Sequence, residues 1–232
     1  MLNGDCRVLR ILKWVVVIVL VLWLFRQVRK PSGPLGRRAV RAMNLSHAKM
    51  TDWGLNQLSA PKNAIMLEVG CGGGRTVRRL AALSPEGKVV GVDYSPASVA
   101  VSRETNADEI ETGRVQILQS SVAALPFPDR TFDLAIAVET HYYWPDLPAN
   151  MREILRVLKP GGTFALIAET YRGGPLRFLY GIFMPLLGAA FLSDAEHRAL
   201  LTDAGFTGVT TMHQPGKNWI CASGYKRSEI IP

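Results

Sequence analysis

Ile65-Met66-Leu67-Glu68-Val69-Gly70-Cys71-Gly72-Gly73-Gly74 is the stretch that most limits what this chain can become. Its first half is a run of large apolar residues around one acid and reads as a buried strand. It runs directly into four glycines within five positions. Without a β-carbon the backbone can turn sharply there and approach a ligand closely. Arg75 to Leu83 then reads as a helix. Open parallel sheets use such a strand, bend and helix to hold ligands at the carboxyl ends of their strands.

The alternation continues. Ala64–Val69 is the first strand and Lys88–Asp93 the second, and Ser95-Pro96 starts a helix with an N-cap and a proline in the first turn. Arg114–Leu118 and Phe132–Val138 are strands three and four. Leu147–Leu158 is a helix closed by Lys159-Pro160-Gly161-Gly162, and Thr163–Ala168 is strand five. Strands alternating with helices predict a parallel sheet covered on both faces, an α/β, Rossmann-like doubly wound fold. Ser193–Ala204 reads as a helix, and Phe206–His213 and Trp219–Tyr225 as a hairpin at the sheet edge. Before the sheet, Arg37 to Leu58 has helical spacing of Val40, Met43, His47 and Met50. Tyr171 to Leu192 is too long and too apolar for a solvated loop, and is read either as a helical cap or as a lid over a pocket.

Two nucleotide-binding alternatives fail on spacing. A dinucleotide fingerprint G-x-G-x-x-G needs glycine at position 75 or 77, where Arg75 and Val77 stand. No G-x-x-x-x-G-K-[ST] occurs. The three cysteines, Cys6, Cys71 and Cys221, are dispersed and suggest neither a disulfide framework nor a nucleophile with an adjacent base. The four histidines, His47, His141, His197 and His213, are dispersed as well, and no metal site is expected.

Five motifs occur in order: Glu68-Val69-Gly70-Cys71-Gly72-Gly73-Gly74, Gly91-Val92-Asp93-Tyr94-Ser95, Leu125-Pro126-Phe127-Pro128-Asp129, Phe132-Asp133-Leu134 and Arg156-Val157-Leu158-Lys159-Pro160-Gly161-Gly162. Over about residues 40–226 the chain resembles class I S-adenosylmethionine (SAM)-dependent methyltransferases of the "methyltransferase 11" type. The resemblance implies a seven-stranded sheet with an antiparallel C-terminal hairpin, and SAM as cofactor. It implies contacts to SAM from Glu68, Gly70, Gly72 and Asp93, with Cys71 and Tyr94 beside them. The family usually has an acid at the adenine position; here it is Ser121, followed by Val122, whose contribution is expected from the backbone. That departure leaves open a non-catalytic scaffold of the same fold as an alternative to an enzyme.

After strand four comes Val138-Glu139-Thr140-His141-Tyr142-Tyr143-Trp144. Methyl transfer needs a base only where the accepting atom must lose a proton. His141 is the first candidate and Glu139 the second, with Glu139 alternatively binding cofactor. His47 could fold over the same site.

Trp14 to Phe25 is twelve uninterrupted apolar residues, and extension back to Val8 gives eighteen, broken by Arg10 and Lys13. At about 1.5 Å per residue the longer run covers about 27 Å, close to the ~30 Å of a bilayer core. The run is apolar all round and no small-residue cleavage site follows it, so residues 1–28 are read as a transmembrane anchor rather than a signal peptide. Residues 29–38 are read as a linker and 39–228 as the methyltransferase domain. Six basic residues follow the run and three precede it, which places the domain on the cytoplasmic side. Residues 1–41 hold nine basic residues against Asp5 alone, so the formal net charge of +8 belongs to the N-terminus and the remainder is neutral. A nucleic-acid groove is therefore not expected, and the acceptor is expected to be a small or lipid-like molecule.

Overall fold

The computed structural model describes residues 13–16, 27 and 29–228. Most of the Val8–Phe25 run, and with it the expected anchor, lies outside the described residues; among these no helix is long and apolar enough to cross a membrane.

The seven strands are β1 (Ile65–Val69), β2 (Lys88–Asp93), β3 (Val115–Gln119), β4 (Phe132–Val138), β5 (Leu158–Ala168), β6 (Phe206–His213) and β7 (Ile220–Lys226). They form one sheet in the order β3-β2-β1-β4-β5-β7-β6. β1 to β5 pair in parallel, while β7 runs antiparallel to both β5 and β6. The helices are α1 (Gly33–Ser46), α2 (Ala48–Leu55), α3 (Arg75–Leu83), α4 (Pro96–Thr105), α5 (Ala107–Glu111), α6 (Leu147–Val157), α7 (Arg177–Leu186) and α8 (Asp194–Ala204).

Side-chain alternation along the strands sends residues to two separate cores. Leu67, Ala135 and Leu166 pack on one face with Met151 and Ile154 of α6 and Leu201 of α8. Met66, Ile136 and Ile167 pack on the other with Met50 of α2 and Val77 and Leu80 of α3. Both faces of the central strands are buried, as their near-continuous apolar sequence requires. Ser193 and Glu196 close a reciprocal capping box at the start of α8, satisfying backbone donors that the helix itself cannot.

Three boundaries differ from those expected. The helix read over Arg37–Leu58 is broken at His47, which ends α1 and precedes α2. Lys159-Pro160-Gly161-Gly162 is not a closing turn: α6 ends at Val157 and β5 begins at Leu158, with Gly161 at φ 78° beside a shift in pairing register. Only glycine adopts that angle without a side-chain clash. The stretch 29–38, read as a linker, packs on the domain. α1 begins at Gly33, and the Pro31 carbonyl accepts a hydrogen bond from the Ser95 hydroxyl at 2.7 Å.

Gly54 lets α2 sit directly on β5, because a β-carbon there would come within 2.6 Å of the Ile167 side chain. Gly54→Val is expected to lower stability by about 1–3 kcal/mol through overpacking, read as a reduced urea midpoint. An unchanged midpoint would mean that this contact does not hold α2 in place.

Candidate active site

The strand order reverses between β1 and β4, since the chain winds outward through β2 and β3 before returning to the other side of β1. Loops leaving the carboxyl ends of these strands diverge and leave a crevice. A cavity of about 610 Å³ occupies it, bordered by the loops after β1 to β5 and roofed by residues of α1 and α7. That is the size of an ordinary small-molecule pocket.

Its floor is the bend after β1. The amides of Gly70 and Cys71 both donate to the Val92 carbonyl, at 2.7 and 2.9 Å. Gly70 stands at φ 78°, where a β-carbon would drive into Thr140. Gly73 is covered by Asn44 of α1, whose amide donates to the Gly73 carbonyl at 2.9 Å. Gly74 is closed off by Ser102 and Asn106. Gly72, at φ 48°, differs: a β-carbon there would meet nothing within 4 Å and would project into open space. The loop is therefore locked by protein at three glycines and open at the fourth.

Asp93 fastens this loop to β2. One carboxylate oxygen accepts the Gly72 amide at 2.9 Å and the other the Ser95 amide at 2.8 Å. Burial pushes its carboxyl upward while these amides oppose the shift. The Ser98 side chain also bonds this carboxylate, and a carboxylate with about four acceptor positions still has room for a further donor. Glu68 is also buried at the cavity wall, and burial raises its carboxyl well above the usual range. Its Oε2 has no hydrogen-bond partner among the described residues, an arrangement that calls for a ligand donor. Cys71 lines the same floor, but burial followed by the nearby carboxylates raises its thiol far from thiolate formation. Tyr94, Ser121 and Val122 complete this side, with Val122 buried and Ser121 exposed.

The β4 and β5 side has different chemistry. Glu139 lies at φ 58°, a left-handed conformation that is unusual for a long side chain and stores strain. Its Oε1 accepts the Glu169 amide and the Tyr142 hydroxyl, the latter at 3.1 Å. Burial, the largest cause, raises its carboxyl from the ordinary 4.5 to about 7. The His47 Nε2 stands 3.7 Å from the Glu169 carboxylate, and burial lowers the imidazole pKa against the pull of that charge. Ligating atoms of His47, Glu139 and Glu169 lie within 4.8 Å of one another. Such a group could hold a divalent cation, and it could equally pass a proton. Tyr142, Tyr143, Trp144, Tyr180 and Met184 give this end an apolar, largely aromatic wall.

His141, the first-choice base, is not brought to the cavity. Glu139 is. In the short 3₁₀ turn His141–Tyr143, successive side chains point about a third of a turn apart. Tyr142 and Tyr143 face the cavity, whereas His141 is fully buried. It packs 4.1 Å from the Tyr142 ring and 5.4 Å from that of His197. Neither nitrogen has a partner among the described residues, and burial holds the ring well below its ordinary pKa. It is a neutral core residue. Glu169, Thr140 and Asn44 escaped the sequence reading. Glu169 had a legible signal, since it directly follows β5 at the carboxyl edge; Asn44 had none, because only folding brings α1 over the glycine loop.

Comparison with known proteins agrees with this geometry. A family model described as a methyltransferase domain matches residues 67–166. The ubiquinone/menaquinone biosynthesis C-methyltransferase of Ectopseudomonas mendocina is 31% identical over 182 residues, covering 67% of this chain and 70% of that protein. The sterol 4-C-methyltransferase of Caenorhabditis elegans is 32% identical over 129 residues, covering 56% of this chain and 37% of that protein. Among solved structures, human N-acetylserotonin methyltransferase in complex with SAM superposes with a TM-score of 0.69 at 20% identity, covering 83% of this chain and 56% of that one. The open face at Gly72 and the unpartnered Glu68 oxygen fit SAM as the cofactor. Fold, glycine bend and relatives converge: the chain belongs to the class I SAM-dependent methyltransferases.

Proposed function

We propose that this enzyme methylates a small apolar acceptor at a membrane surface, with Glu139 taking the acceptor's proton. The observation that carries this reading is the β4–β5 end of the cavity, where one carboxyl near pH 7 sits among aromatic side chains. Bound SAM supplies a methyl group on a sulfonium, which is already an activated leaving group. The protein's work is then alignment and proton handling.

In this reading the amides and open face of Gly70–Gly72 cradle the cofactor, with Cys71 and Tyr94 against it. Asp93 accepts the ribose hydroxyls with its remaining lone pairs. Glu68 meets the amino group, and Ser121 and Val122 border the adenine. Tyr142 donates to Glu139 Oε1, which leaves Oε2 to accept a proton. An acceptor of the chemical class named for the relatives, a quinone or a sterol, suits the aromatic wall. The apolar Val8–Phe25 run would anchor the chain, with the catalytic domain on the cytoplasmic side.

The direct test is incubation of the full chain with methyl-labelled SAM and a lipid extract of its own cells. Label moving into the organic phase is expected; label that stays in the aqueous phase would overturn an apolar acceptor.

Gly72→Ala places a methyl in open space, so stability should fall only by the strain of φ 48°, about 1 kcal/mol. SAM affinity, measured by isothermal titration, should fall at least about tenfold, or ~1.4 kcal/mol. Equal affinity would move the cofactor away from this loop.

A base works only when deprotonated, so kcat/KM should rise with pH through about 7 and then level. Glu139→Gln should remove that limb and lower kcat while SAM affinity is retained; a loss of SAM affinity alone would make Glu139 a cofactor ligand. The stability effect has the opposite sign. Burial raises the folded pKa, so the folded chain keeps a proton that the unfolded chain has lost. Wild-type stability should therefore fall as pH rises from 4.5 to about 7, and the substitution should flatten that fall.

A further inference from the structure

Helix α7 is apolar nearly all round, yet it stands mostly in solvent. Phe178 is 76% exposed, Ile182 64% and Leu186 71%, spaced one turn apart along one face, and Leu179 and Phe183 continue the patch. A helix of this composition is ordinarily buried, and a contiguous apolar patch marks a binding surface. At ten residues, or about 15 Å, α7 is too short to cross a bilayer, but it can lie within the interface.

We propose that the exposed face of α7 inserts into the membrane interface, so that the cavity mouth opens toward the bilayer and the acceptor enters from lipid. This rests on the membrane-anchored reading above and assigns α7 as a second, independent membrane contact.

Two placements select a bilayer as the occupant. The inner side of α7 supplies Tyr180 and Met184 to the cavity, so the helix separates cavity from exterior. Arg29 and Pro31, just after the Val8–Phe25 run, border the same cavity. Arg29 stacks 6.0 Å from the Tyr143 ring, and the Pro31 carbonyl is held by Ser95 at 2.7 Å. The chain from Arg29 to Pro31 is therefore fixed at the cavity that α7 roofs. Charge agrees: Arg29, Lys30, Arg37, Arg38 and Arg41 cluster in the chain at this point and are all exposed, and with Arg37 and Arg41 both paired to the single Glu104 carboxylate the cluster keeps a net positive charge. Such a cluster suits an anionic leaflet. A shielded path also explains why an apolar acceptor need not cross water to reach Glu139.

The test uses the full chain bound to vesicles of phosphatidylcholine and phosphatidylglycerol, with Cys6→Ser to remove one thiol; Cys71 and Cys221 are buried. An environment-sensitive dye is attached at Phe178→Cys, Ile182→Cys or, as control, Leu83→Cys, which is 45% exposed at the far end of α3. With vesicles, the dye at 178 and 182 should blue-shift and be quenched by nitroxide-bearing lipid, while the dye at 83 should not change. A dye at 178 that stays open to aqueous iodide on a chain that floats with vesicles overturns the proposal and leaves the anchor standing. A chain that does not float overturns the anchor reading itself. Shielding that is equally strong without vesicles gives the face to a second copy or to the chain's own N-terminus, and overturns it too.

Discussion

The site depends on one link, the hydrogen bonding that ties the bend after β1 to the end of β2. Val92 offers its carbonyl to Gly70 and Cys71, and Asp93 offers its carboxylate to Gly72 and Ser95. These bonds turn two adjacent parallel strands into a floor with a fixed curvature. They also keep Asp93 beside the cavity despite its burial, because backbone donors compensate the charge. Asp93 therefore shapes the pocket before it meets any ligand.

The opposite end of the cavity uses burial differently. Glu139 is held in a strained backbone conformation, and its surroundings raise its carboxyl to about 7. Strain of about 1–3 kcal/mol persists only where neighbours over-determine it. Here those neighbours are the Glu169 amide and the Tyr142 hydroxyl. His141, two residues on, shows the contrast. It is just as buried, has no partner among the described residues, and packs as a neutral ring. Proximity in sequence assigned both residues to the site, and a single 3₁₀ turn separated them.

The segment before the sheet is part of the site. Asn44 of α1 seals the glycine loop, His47 meets Glu169, and Arg29 reaches Tyr143. The stretch expected as a spacer thus forms part of the cavity wall, with Arg29 and Pro31 bordering it.

The sequence by itself determined the doubly wound sheet, its glycine bend and the carboxylates at the strand ends. Those follow from local rules: alternation of strand and helix, glycine where φ is positive, and the polarity of parallel strands. It also determined that Tyr171 to Leu192 could not be a solvated loop. Tertiary structure alone decided which of Glu139 and His141 faces the cavity, because a turn's rotation depends on what packs behind it. It alone set Asn44 over the glycine loop and paired His47 with Glu169, since the helices before the sheet lie far in the chain from the elements they meet, and it alone left the apolar face of α7 uncovered. Composition can mark a segment as greasy, but only packing shows which of its faces the protein itself has failed to bury.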